Sequence, residues 1–158
     1  MGGRTSSHDS GAIRAAAVAL LARRDYLTVE LQQRLHSQGF DPTATAAVIA
    51  ELTAGRLLED ARFVERFVAS RAGRGQGPRR IAMDLRSRGA SEALIQAAIQ
   101  AGPDWDAVAR EVRRRKFGPE PPGSWPEKAR QGRFLQYRGF SSDHIRAATG
   151  ADFEDSRT

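Results

Sequence analysis

The chain has 158 residues, 40% hydrophobic and 28% charged, a balance too apolar for wholesale disorder and too polar for a membrane protein. Cysteine is absent, which excludes disulfides and thiolate metal sites. The net charge of +6 rests on arginine, 23 of the 25 basic residues, whose planar fork pairs with carboxylate and phosphate better than lysine does.

The opening "MGGRTSSHDSGAIRAAAVALLARR" has no charged leader followed by an apolar core and a cleavage site, so no signal peptide is expected. Its first six residues fit a myristoylation pattern only nominally, and residues 1–10 read as a disordered tail. No apolar run approaches the roughly 20 residues that span a bilayer. The expectation is a cytoplasmic protein without membrane contact.

From there almost every segment repeats apolar residues at helical spacing, and none alternates as a strand. Ile13, Ala17, Leu20 and Leu21 give a first stripe. Leu31 and Leu35 give a second, with Thr28 as the expected N-cap and Gly39 as the stop. Val48, Ile49 and Leu52 mark a third helix, stopped by Gly55. Phe63, Val64, Phe67 and Val68 make a fourth. Ile81 and Leu85 make a fifth, with Pro78 suited to its first turn and Gly89 to its end. Leu94, Ile95, Ala98 and Ile99 follow behind Ser91, and Trp105, Val108, Ala109 and Val112 form a seventh. Two shorter helices fit residues 126–138 and 142–149.

A repeat of 50 residues underlies this order. Leu35, Leu85 and Leu135 align; so do Gly39, Gly89 and Gly139, and the capping residues Asp41, Ser91 and Ser141. Ile95 and Ile145 share a position that Thr45 breaks. The repeated unit is a helix ending on a left-handed glycine, a two-residue turn and a capped helix. The fold class expected is therefore all-α. Three tandem three-helix modules, at 11–55, 56–102 and 103–150, would form an elongated, curved stack, with residues 151–158 as a C-terminal tail. Modules this small must lend each other surface. The proline-rich joint "KFGPEPPGSWPEK" at 116–128, with its loop at 117–126, is a semi-rigid candidate hinge.

Charge is unevenly spread. Residues 1–55 are neutral, residues 56–90 carry nine Arg against four acids, and residues 104–138 carry nine basic residues against five acids. The stretch "GRGQGPRR" sits inside the first basic band. It is no phosphate loop, because Gly77-Pro78-Arg79 stands where Gly-Lys-Ser/Thr is required, and the segment before it, "FVERFVASRA", is an amphipathic helix rather than a strand. Arg79 and Arg80 fall in a helix's first turn, against the macrodipole, a placement more acceptable if an anionic partner docks there.

No catalytic constellation emerges. His8, His36 and His144 lie far apart, without metal-type spacing. Glu59-Asp60 reads as a pair of helix-start acids, and Trp105, Phe63 and Phe67 read as core rather than as a stacking platform. No Gly-x-Ser-x-Gly elbow occurs. Binding is the remaining class, with no catalytic residue, metal or cofactor expected.

The central stretch "LLEDARFVERFVASRAGRGQGPRRIAMDLRSRGASEALIQAAI" resembles the RecX regulatory family, which modulates the RecA recombinase, through Asp60, Phe63, Arg71, Gly77-Pro78, Ile81, Leu85 and Gly89. "YLTVELQQRLHSQGFD" resembles the family's opening module through Leu31, Leu35 and Gly39. The resemblance covers about residues 13–150. It is weaker in the third module, where Gln131 stands in the place of Leu31 and Ile81. It implies a bacterial helical-repeat protein that binds the recombinase filament on DNA and lowers its ATPase and strand-exchange activity; the chain itself is expected to be a monomer. DNA itself, single- or double-stranded, would be a weak and salt-dependent partner. Leu35, Gly39, Asp60, Phe63, Gly77, Pro78, Ile81, Leu85, Gly89, Leu135 and Gly139 are assigned to the fold. Arg62, Arg66, Arg71, Arg79, Arg80, Arg86 and Arg88 are assigned to the binding surface, followed by Arg113, Arg114, Arg115 and Lys116. Some of these arginines must instead be solvated or paired with Glu59, Asp60 or Glu65. The rival reading is a stand-alone DNA-binding module, its affinity set by counterion release.

Overall fold

The computed structural model describes residues 6–151, and among them the only regular elements are helices. They are α1 (Ser10–Arg23), α2 (Thr28–Ser37), α3 (Pro42–Ala54), α4 (Asp60–Gly73), α5 (Pro78–Arg88), α6 (Glu92–Gln100), α7 (Trp105–Phe117), α8 (Trp125–Tyr137) and α9 (Ser142–Thr149). Residues 1–5 and 152–158 of the expected tails lie outside the described residues. Within the expected N-terminal tail, Asp9 caps α1 by accepting from the Gly11 and Ala12 N–H groups, and the Ser7 carbonyl accepts from Asp41 N–H at 2.9 Å.

The repeat register holds in the backbone. Gly39, Gly89 and Gly139 have φ of 91°, 95° and 98°, a region that costs any L side chain strain. Leu35, Leu85 and Leu135, four residues earlier, are each fully buried, as are Ile95 and Ile145 after each turn. The third helix does stop at Gly55, but without a left-handed glycine. The φ of Gly55 is −82°, and the left-handed residue is Arg56 at φ 59°. The helix ends there through Arg56 N–H to Thr53 C=O and Leu57 N–H to Leu52 C=O, a closing geometry that leaves Leu57 exposed and Leu58 buried.

Two compact units organise the chain. Of the described residues, one unit runs through Phe63 and takes back Arg88–Ser91; the other comprises Val64–Ser87 and the described chain from Glu92 onward. The first has a core of Ile13, Ala17, Tyr26, Leu31, Leu35, Val48, Ile49, Leu52 and Leu58. Fully burying one such side chain stabilises the fold by about 1.5–3 kcal/mol. In that unit Thr28 is the first helical residue of α2 rather than its cap. The cap position is Leu27, which has no side-chain oxygen to offer. Asp60, from the start of α4, supplies the missing acceptor, its carboxylate accepting from Thr28 N–H at 2.8 Å and from Thr28 Oγ1 at 3.0 Å.

The second unit repeats that logic with backbone instead of side chain. Gly77 N–H donates to the Arg138 carbonyl at 2.8 Å, and Arg79 N–H to the Gly139 carbonyl at 3.0 Å. The α8–α9 turn thus satisfies the open N–H groups at the start of α5. Close backbone approach makes this possible. A Cβ on Gly77 would lie 2.4 Å from the Gly139 carbonyl carbon, and a Cβ on Gly139 would lie 2.4 Å from Arg80 Cβ. Below the turn, Ala109, Leu135, Phe140 and Ile145 form a core with Trp105, Val108, Val112, Phe134 and Ala148 packed around it.

Candidate protein-binding surface

The basic residues singled out from the sequence separate into four situations. Arg62 and Arg88 belong to the first unit, where Arg62 pairs with Glu59 at 3.5 Å and Arg88 approaches Glu30 at 3.7 Å. In the second unit Arg71 lies between Asp84, at 3.7 Å, and the face of Phe67, 4.5 Å from the ring centre. Arg66 is exposed on α4. Of the acids expected to pair with these arginines, Glu59 does so with Arg62, while Asp60 serves the start of α2.

Arg79, Arg80 and Arg86 come together. They line a groove of about 820 Å³ with Pro78, Met83, Asp84, Gln96, Gln136 and Tyr137, built by α5, α6 and the end of α8. Arg86 is engaged there, donating through Nε and Nη2 to the two Glu92 oxygens at 2.6 and 2.7 Å. That fork holds the Glu92 carboxyl pKa down to about 2 and raises that of the arginine. Met83 and Tyr137, 61% and 79% exposed, stand in the same groove. They are two of the large hydrophobic side chains left exposed among the described residues, with Val18, Leu57 and Trp125, and the two that line this groove. Their exposure is invisible in the helical pattern, although Met83 falls two residues off the Ile81–Leu85 stripe.

The backbone N–H groups of Gly77 and Arg79 at the start of α5 are not open to an anion. The expected reason for tolerating Arg79 and Arg80 there was a docking anion, but the Arg138 and Gly139 carbonyls already occupy the Gly77 and Arg79 N–H groups. Arg79 and Arg80 both line the groove.

Arg113, expected on the binding surface, is buried at 7% exposure. Its guanidinium donates to the carbonyls of Glu120 (3.1 Å), Gly118 (3.2 Å) and Pro119 (3.5 Å), and to Gln131 Oε1 (3.4 Å). It fastens the proline-rich loop. Gln131 departs from Leu31 and Ile81 because it faces this charge, where an amide oxygen is useful and an aliphatic chain is not. Arg114 and Arg115 both pair with Glu111, at 2.7 and 2.9 Å, which holds that carboxyl pKa down to about 2. Lys116 remains available, 5.6 Å from the Phe134 ring centre. Among the described residues no cluster of three or more His, Asp or Glu could hold a metal, and no helix is long and apolar enough to cross a membrane.

Fold and surface together define an all-helical repeat protein that presents a mixed arginine–aromatic groove. Three domain descriptions of one family match it in register: "RecX, first three-helix domain" over residues 14–52, the second over 60–99 and the third over 104–149. The chain belongs to the RecX family. It is 47% identical over 147 residues to the regulatory protein RecX of Halorhodospira halophila, covering 92% of this chain and 91% of that one. With the regulatory protein RecX of Pseudomonas fluorescens it shares 42% over 146 residues, 91% of this chain and 94% of the other. The crystal structure of RecX from Lactobacillus salivarius superposes with a TM-score of 0.80 at 18% identity, over 90% of this chain and 96% of that one. A second RecX crystal structure gives 0.73 at 17% identity, over 88% and 70%. These two likenesses speak for the fold alone.

Proposed function

We propose that this protein binds the RecA recombinase filament on DNA and lowers its ATPase and strand-exchange activity. Membership in a family of proteins named regulatory supports a regulatory role. The observation that carries the reading further is the groove with Arg79, Arg80, Met83 and Tyr137. A protein that held only DNA would need positive charge and little else. Arginine, tyrosine and methionine side by side are instead the composition of protein–protein interface cores. The partner in this reading is therefore the recombinase, with DNA as an adjoining, salt-dependent contact.

Two paired variants test it. Met83→Ala with Tyr137→Ala should weaken binding to the assembled filament by about tenfold or more, as losing an interface anchor does, and should leave binding to bare DNA unchanged. Arg79→Ala with Arg80→Ala should weaken both, with a shallower salt dependence. Melting temperature should barely move in either case, because Tyr137 and Met83 are exposed and alanine keeps the Cβ that Arg80 packs against Gly139. Binding to bare DNA as tight as binding to filament would hand the case to the stand-alone DNA module.

A further inference from the structure

A second groove, of about 620 Å³, lies elsewhere in the same unit. Gly73, Arg74 and Gly75 form one wall, Pro103, Asp104 and α7 as far as Lys116 the floor, and Phe134 and Arg138 the other side. Its floor is aliphatic: Pro103, Ala107, Val108 and Val112. The wall comes close at Gly75, where a Cβ would lie 3.1 Å from Val112 Cγ2.

The charges around it do not cancel. Of its two acids, Asp104 is committed to capping α7 through Ala107 N–H at 3.2 Å. Glu111 is shared by Arg114 and Arg115. Arg74, Lys116 and Arg138 have no carboxylate partner among the described residues. Lys116 and Arg138 rest against the Phe134 ring, at 5.6 and 5.3 Å from its centre, and the Phe117 ring meets it edge-on at 5.4 Å. Three cations without a carboxylate partner, in a lining that carries more basic than acidic residues, thus rim a concave apolar floor, where a low-dielectric wall strengthens their attraction for anions.

Nucleic acid fits this groove poorly. Single strands are held by aromatic faces on which bases stack, and the one ring in the groove is already covered by two cations and a neighbouring ring. The floor offers aliphatic contact instead. We propose that the groove is a docking site for an acidic protein segment carrying one aliphatic anchor, the anchor seated on Ala107, Val108 and Val112 and flanking carboxylates paired with Arg74, Lys116 and Arg138. The proposal goes beyond the filament reading and does not rest on it, since it concerns different residues and can be tested without recombinase.

The probe is a short synthetic peptide of aspartate and glutamate around a single leucine, titrated into the full chain and followed through backbone amide shifts. Saturable shifts are expected at Gly73, Arg74, Gly75 and Ala107. Replacing the leucine by serine should weaken binding by about tenfold, the loss expected for an unburied aliphatic side chain. Arg74→Glu should weaken it by about as much through charge reversal. Ala107→Glu, at an exposed helical position, plugs the groove without touching the core and should abolish the shifts. The proposal is overturned if leucine and serine peptides bind alike, if Ala107→Glu binds as well as the native chain, or if a short oligothymidylate shifts these amides at lower concentration than the peptide.

Discussion

Thr45 and Arg113 are both polar and both buried, and burial treats them differently. Arg113 is surrounded by four acceptors. Thr45 Oγ1 has no hydrogen-bond partner, and a buried hydroxyl left unsatisfied costs about 1–3 kcal/mol. The equivalent positions carry Ile95 and Ile145, both buried. Thr45→Val, close to isosteric, should therefore stabilise the first unit by about 1 kcal/mol, seen as a rise of about 4–8 °C in its melting temperature. A lower melting temperature would show that the hydroxyl is satisfied after all. The misfit of Thr45 was readable in the repeat register. The burial of Arg113 was readable too, since it lies one helical turn after Ala109, but a run of basic residues reads first as a solvated face. The exposure of Met83 and Tyr137 left no such trace, because it depends on what the rest of the fold fails to cover.

At the scale of elements, three equivalent turns end in three different surroundings. All three glycines have positive φ. A Cβ on Gly39 would meet nothing within 4 Å; on Gly89 it would lie 2.7 Å from Val29 Cγ1; on Gly139 it would meet Arg80 Cβ at 2.4 Å and Arg80 N at 2.7 Å. Substitution by alanine should accordingly destabilise in the order Gly39, Gly89, Gly139. The first should lose about 1–2 kcal/mol of backbone strain alone, and the last more, because backbone cannot step aside. Adding Val29→Ala should recover the steric part of the Gly89→Ala loss and leave the φ part, a coupling that a double-mutant cycle reads directly. Equal losses at all three sites would mean that φ alone decides. The helices and their glycines were legible because they are local signals. The caps supplied by Asp60 and by the Arg138 and Gly139 carbonyls were not, because each donor and acceptor lie far apart in the chain.

For the whole molecule, three sequence repeats become two compact units, and the division falls inside the second repeat. Residues 64–87 group with the described chain from Glu92 onward, and the α8–α9 turn holds the start of α5. A chain ending at Gly102 should therefore keep a protected first unit, with slow amide exchange at Leu31, Leu35 and Val48. Its Ile81 and Leu85 amides should exchange far faster than in the full chain. Unchanged protection of α5 would show that the second repeat stands without the third.

Synthesis gives this same contact a clock. The Gly77 and Arg79 N–H groups leave the ribosome roughly 60 residues before the carbonyls that satisfy them, a delay of about 3–12 s at 5–20 residues per second. Asp60 follows Thr28 after about half that interval. The nascent chain therefore waits twice, and for the longer wait α5 has only solvent to cap it. Through that interval it depends on neighbours not yet made, the moment at which proteases and chaperones have most access to it.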